Sequence, residues 1–185
     1  MGVGKIKNRA VFFDRDGVIN FPVIRDGKPY PPALLKELKL IQNLNPLLNS
    51  LRSQGFLLFV VTNQPDVDRG ISHKKDVEEI HSFMYKKLPI QKIYVCYDDG
   101  TMKNTQMRKP KPGMLFMAQK EYDLDLSASY IVGDRWKDID AGVAAGCTTV
   151  FIDWGYHENL NKSPDKTVMD LKSGINWILE HYNNS

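Results

Sequence analysis

The strongest constraint on the fold is a repeated pairing. A short apolar run stops abruptly at polar or glycine residues, and a longer stretch of helical period follows. Such runs stand at Ala10 to Phe13, Phe56 to Val61, Ile93 to Cys96, Tyr130 to Val132 and Thr149 to Ile152. They are near-continuous Val, Ile, Phe and Leu rather than alternating, as strands covered on both faces should be. Strands of this kind joined by helices predict an α/β three-layer sandwich around a mainly parallel, five-stranded central sheet.

The helices carry their own punctuation. Asn45 can cap a first one, with Pro46 at its first position and Gly55 as its stop, and Leu47, Leu48 and Leu51 share a face. Ser72 can cap a second, along which Val77, Ile80, Phe83, Met84 and Leu88 recur. A third follows Pro112, and a fourth covers about Asp138 to Ala145 before Gly146. Val168, Leu171, Ile175, Ile178, Leu179 and Tyr182 trace a last apolar stripe, read as core. Residues 20 to 32 and 97 to 112, rich in proline or polar side chains, fit neither pattern.

Composition excludes several classes. A chain of 185 residues with 42% hydrophobic and 25% charged content is an ordinary folded protein, and one domain over residues 1–185 is the default. A formal charge of +3 is too small to argue for a nucleic-acid surface. The longest apolar run, Phe56 to Val61, is far too short to span a membrane. Met1 to Ile6 holds no signal peptide and lacks the Ser or Thr of a myristoylation site, so Asn161-Lys162-Ser163 and Asn183-Asn184-Ser185 read as chance glycosylation triplets. Cys96 and Cys147 sit in apolar surroundings, as thiols of a reducing compartment do, which points to the cytoplasm.

In an open parallel sheet, ligands bind beyond the carboxyl ends of the strands. Asp14-Arg15-Asp16-Gly17 follows the first run and Thr62-Asn63-Gln64 extends the second. Arg108-Lys109-Pro110-Lys111-Pro112-Gly113 and Gly133-Asp134-Arg135-Trp136-Lys137-Asp138 stand later in the chain. Any one of these reads as turn chemistry. Together they supply carboxylates for a hard cation, which Mg2+ takes with waters and phosphate oxygens. They also supply a carboxylate nucleophile, a second carboxyl for proton transfer, and a hydroxyl and an ammonium to balance phosphoryl charge.

In order and content these four runs resemble the motifs of the haloacid-dehalogenase-like (HAD-like) phosphohydrolases, over about residues 9 to 155. The forms DRDGxIN, TNQ with Arg69-Gly70, and RKPxPGM resemble its small, capless histidinol-phosphatase and heptose-bisphosphate phosphatase group. The resemblance implies a Rossmann-like fold without a cap domain and Mg2+-dependent hydrolysis of a small sugar phosphate. Asp14 would be nucleophile and metal ligand; Asp16 would be general acid/base and ligate Mg2+ through its backbone carbonyl. Thr62 and Lys109 would hold the phosphoryl group, Asp134 would complete the metal site, and Asp138 would support Asp134 or Lys109. Asn63, Gln64, Arg108 and Arg135 match substrate contacts.

Many members of that group carry zinc on four Cys/His ligands just before the RKP motif. Here Cys96 remains, while Asp98, Thr105 and Met107 replace ligands, so no zinc is expected. A polynucleotide 3'-phosphatase, with a similar start, is disfavoured by the charge balance. A phospho-accepting signalling domain would place its acceptor Asp after the third strand, and an idle binding module would have lost a motif residue. His73, His81, His157 and His181 read as surface or helix-face residues, and Trp154 as core packing. Arg25, Lys28 and Arg69 can ring the phosphate site or stand as ordinary solvated charges. Nothing in the sequence demands an oligomer, so a monomer is the simplest expectation.

Overall fold

A computed structural model describes residues 7–25, 28–101, 105–156 and 158–184, with only the backbone at Lys28. The start at Met1 to Ile6, His157 and Ser185 of the last glycosylation triplet lie outside the described residues.

The central sheet has six parallel strands, not five. In chain order they are β1 (Arg9–Phe13), β4 (Phe56–Asn63), β5 (Lys92–Cys96), β6 (Tyr130–Gly133), β7 (Thr148–Ile152) and β8 (Lys166–Val168). In space they run β5-β4-β1-β6-β7-β8. The strand absent from the sequence reading, β8, is a three-residue edge in which Val168 alone is buried, so it leaves no apolar run. Val168 therefore belongs to this strand and not to the C-terminal helical stripe.

Both faces are covered, as the continuous apolar runs require. Val11 and Phe13 enter one core with Leu48 and Leu51 of α1 (Leu44–Ser53), Ile80 and Met84 of α2 (Lys74–Lys87), and Ile175 and Ile178 of α5 (Leu171–Asn183). Ala10 and Phe12 point the other way, into a core with Met114, Leu115 and Ala118 of α3 (Gly113–Tyr122). On that side α4 (Trp136–Ala145) lies so close to the sheet that a Cβ at Gly142 would come within 2.3 Å of Ile131. Each such Phe, Leu or Ile contributes about 1.5–3 kcal/mol on burial.

Helix starts differ from the punctuation. The first begins at Leu44 after Asn43 in the left-handed region, which puts Pro46 at its third position, and His73 rather than Ser72 precedes the second. The fourth begins at Trp136, so Asp138 sits inside its first turn, where its carboxylate accepts the Arg135 N–H at 3.1 Å. Within the unassigned segment 20–32, β2 (Val23–Arg25) and β3 (Lys28–Tyr30) form a small antiparallel hairpin. Both cysteines are buried and unpaired. No helix among the described residues is long and apolar enough to cross a membrane.

β1 is flanked by β4 on one side and β6 on the other, and the chain builds outward from it in both directions. This is the point of a parallel sheet where the loops diverge and leave a crevice at the carboxyl ends.

Candidate active site

Strand register brings the four motifs together. Phe13 pairs with Val60 and with Val132, and the Asp14 N–H continues the ladder to the Val132 carbonyl at 2.9 Å. Asp14, Thr62 and Asp134 therefore emerge from three adjacent strands. That position buries Thr62, 1% exposed, and Asp134, 5% exposed, and the first turn of α4 adds Asp138 at 1%.

Lys109 enters this ring as a buried ammonium. Its Nζ lies 2.9 Å from Asp14 Oδ1 and 2.5 Å from Asp138 Oδ1, and donates to the Val61 carbonyl at 2.7 Å. Asn63 holds the Lys109 backbone at both polar atoms, accepting its N–H at 3.1 Å and donating to its carbonyl at 3.0 Å. Burial alone would drive the ammonium towards neutrality. The Asp138 and Asp14 carboxylates outweigh that and hold its pKa above the ordinary lysine value. Burial, with the Asp138 charge beside it, pushes Asp14 up to about 7 against the pull of Lys109. Burial, then Asp14 and Asp138, raises Asp134 well above the usual carboxylate range.

Asp16 is held differently, by hydrogen bonds to its carboxylate. Arg15, wholly buried, donates from Nε to both oxygens at 3.2 Å, Asn20 donates at 3.0 Å and Gln64 at 2.8 Å. The Gln64 amide also donates to the Thr62 hydroxyl at 2.8 Å, leaving that hydroxyl's own proton free for an acceptor above it. Gln64, expected among substrate contacts, is thus buried beneath the site at 3% exposure. Behind Arg15, its Nη1 meets His81 Nε2 at 3.2 Å, and His81 is a buried residue rather than a surface one. Burial and the Arg15 charge lower the His81 pKa to about 4. The sequence offered no signal for the Arg15–His81 pairing, because the partners are 66 positions apart.

The residues fit a hard divalent cation. Both Asp138 oxygens are taken, by Lys109 and by the Arg135 N–H. Asp14 uses Oδ1 for Lys109 and for the Arg15 N–H. Asp134 Oδ1, however, is buried with no hydrogen-bond partner, an arrangement that is costly unless a cation answers it. Space around Asp134 is reserved by Gly17, whose φ is +87° and where a Cβ would lie 2.1 Å from Asp134 Oδ2. A Cβ at Gly133 would likewise strike Asp138. Trp154, expected as core, packs there and also donates to the Gly17 carbonyl at 2.8 Å.

Above this floor opens a cavity of about 330 Å3, with Asp14 and Asp16 at its base and Arg69, Arg108, Arg135 and Lys137 around it. Arg25, expected in this ring, pairs with Glu37 instead, and the Lys28 side chain is outside the description. Arg108 is fixed by donation to the Asp98 carbonyl at 2.6 Å, and Arg135 by Glu158 at 3.0 Å. Arg69, a sequence candidate for this ring, does line it, whereas Lys137 shows itself only once loops from different strands converge.

Comparison with known proteins agrees with this geometry. A protein from Burkholderia mallei named D-glycero-alpha-D-manno-heptose-1,7-bisphosphate 7-phosphatase is 35% identical over 80% of this chain and 80% of its own. The chain belongs to the HAD-like phosphatases. A family model described as "HAD-hyrolase-like" matches residues 106–173. A Helicobacter pylori protein named as the corresponding beta 7-phosphatase is 28% identical over 92% of this chain and 97% of its own. The fold is shared with D,D-heptose 1,7-bisphosphate phosphatase from B. bronchiseptica, solved with magnesium and phosphate. That likeness covers 94% of this chain and 99% of the other, with a TM-score of 0.78 at 23% identity. This HAD-like chain is accordingly a phosphatase, a hydrolase.

Proposed function

We propose that this HAD-like phosphatase removes one phosphate from a heptose 1,7-bisphosphate, using Mg2+. The observation that carries the reading is the pairing of the half-buried Asp14 with the buried Lys109, 2.9 Å apart, at the floor of a cavity rimmed by guanidinium and ammonium groups. A nucleophile needs its charge held and its attacking oxygen free, and a dianionic ester needs cations before it will approach two carboxylates.

The free carboxylate oxygen of Asp14 attacks phosphorus, and the bond from phosphorus to the sugar oxygen breaks. Asp16 gives its proton to that leaving oxygen. Asp16 then takes a proton from a water that attacks the aspartyl phosphate, which releases inorganic phosphate and restores Asp14. Thr62 and Lys109 donate to the phosphoryl oxygens throughout, preorganised by Gln64 and by Asp138. Mg2+, held by Asp14, Asp134 and the Asp16 backbone carbonyl, would neutralise phosphoryl charge when bound. Arg69, Arg108, Arg135 and Lys137 contact the remainder of the substrate, with Asn63 fixing the Lys109 backbone.

Several companion readings share this support. A monomer with one phosphatase unit and no cap domain is the simplest assembly for such a site. Two buried free thiols suit a cytoplasmic setting. Zinc has no place before the RKP run, where burial raises the Cys96 thiol and Asp98, Thr105 and Met107 flank it.

The test is phosphate release with and without Mg2+ from both anomers of D-glycero-D-manno-heptose 1,7-bisphosphate, from histidinol phosphate and from a 3'-phosphorylated oligonucleotide. The heptose bisphosphates should turn over fastest, and Asp14→Asn should abolish turnover while the circular dichroism spectrum is kept. Preference for another substrate would overturn the heptose assignment, and turnover in Asp14→Asn would overturn the nucleophile.

A further inference from the structure

A second carboxylate cluster lies outside the machinery just described. Asp68, on the loop after β4, and Asp98 and Asp99, on the loop after β5, each place a carboxylate oxygen within 4.8 Å of the other two. None of the three makes an ion pair with a described residue, unlike the Asp14–Lys109–Asp138 group. Asp98 is 7% exposed. Its Oδ1 accepts the Gly100 N–H at 2.8 Å, and its Oδ2 is buried with no partner at all. One oxygen of this buried carboxylate is thus unanswered, the condition also found at Asp134 Oδ1 in the catalytic floor.

We propose that Asp68, Asp98 and Asp99 form a second cation site, which takes a hard divalent ion such as Ca2+ or Mg2+ and ties the loop after β4 to the loop after β5. Oxygen-only donors select such ions, with waters completing the coordination, and three carboxylates this close repel one another without one. The loops already meet here, because the Asp99 N–H donates to Asp68 Oδ2 at 3.3 Å. The nearby guanidinium groups make their hydrogen bonds elsewhere, Arg69 to Asp66 at 3.3 Å and Arg108 to the Asp98 carbonyl, and act on Asp99 only through space. Arg69 and Arg108 also line the catalytic cavity, so an ion at this place steadies two cations of the substrate rim from behind.

The experiment counts ions and does not read turnover; the inner ion of the total rests on the proposed function, whereas the ion lost in Asp68→Ala does not. Full-length protein stripped with EDTA is dialysed against millimolar calcium chloride alone, or magnesium chloride alone, and bound metal is measured by elemental analysis. Wild type should hold two ions in at least one of the salts. Asp68→Ala, an exposed position that leaves the core intact, should hold one, as should Asp134→Asn. Calcium or magnesium should also raise the melting temperature of Asp134→Asn but not that of Asp134→Asn/Asp68→Ala. A metal count unchanged by Asp68→Ala in both salts overturns the proposal.

Discussion

The two carboxylate clusters of this molecule are built from similar side chains and differ in what surrounds them. In the inner one, Asp14, Asp134 and Asp138 issue from β1, β6 and α4, and Lys109 already supplies an ammonium at 2.9 and 2.5 Å. In the rim cluster, Asp68, Asp98 and Asp99 issue from two loops and have no ion-pair partner among the described residues. The inner cluster therefore has a fixed ammonium that orients the Asp14 carboxyl before any ion arrives. The rim cluster depends on an added cation, which suits a clasp between loops.

Converting the inner cluster towards the rim type should have the largest effect. Lys109→Met leaves the half-buried Asp14 and the buried Asp138 without their ammonium, so turnover should fall on the order of a hundredfold or more. Urea unfolding should show a loss of about 3–5 kcal/mol. Adding Asp138→Asn should recover part of that stability and none of the turnover; recovered turnover would break the claim that Lys109 serves the phosphoryl group directly.

Gly17→Ala tests whether the inner cluster needs its reserved space. The new Cβ meets Asp134 and sits at a φ of +87°. The Mg2+ concentration for half-maximal turnover should rise roughly tenfold to a hundredfold. An unchanged Mg2+ dependence would show that Asp134 is not held by this contact.

The inner cluster is also backed by buried groups that the rim lacks, and acid should reveal them. The unfolded chain protonates His81 near its ordinary 6.5, whereas in the folded protein its pKa is lowered to about 4. Between these values the unfolded state binds the extra proton, so stability is lost as pH falls from 6.5 towards 4. The loss should approach about 3 kcal/mol in urea titrations, and His81→Gln should flatten it. Smallest of all, in the Asp134→Asn background Asp68→Lys should give the rim its own ammonium, so that EDTA no longer changes the melting temperature by even a degree or two.

Much of the inner cluster could be read from the chain because each member directly follows an apolar strand or opens a helix. Strand ends in a parallel sheet converge, so Asp14, Thr62 and Asp134 are brought together by register alone. Gln64 and Arg15 were visible as residues but not as supports of Asp16, since a side chain that turns inward looks the same in sequence as one that turns out. Edge strand β8 and the hairpin of β2 and β3 were hidden for a related reason: three-residue strands bury too little to leave a pattern.

What the sequence by itself determined is the layered α/β architecture and the chemistry available at the strand ends, because hydrophobic periodicity and motif order are local properties. The tertiary structure decided which charges face each other. Lys109 with Asp14 and Asp138, Arg15 with His81, and Asp68 with Asp98 and Asp99 are separated by 29 to 95 positions, apart from the adjacent last two. Their energies depend on burial and on separations of a few ångströms, and only the folded chain sets either quantity.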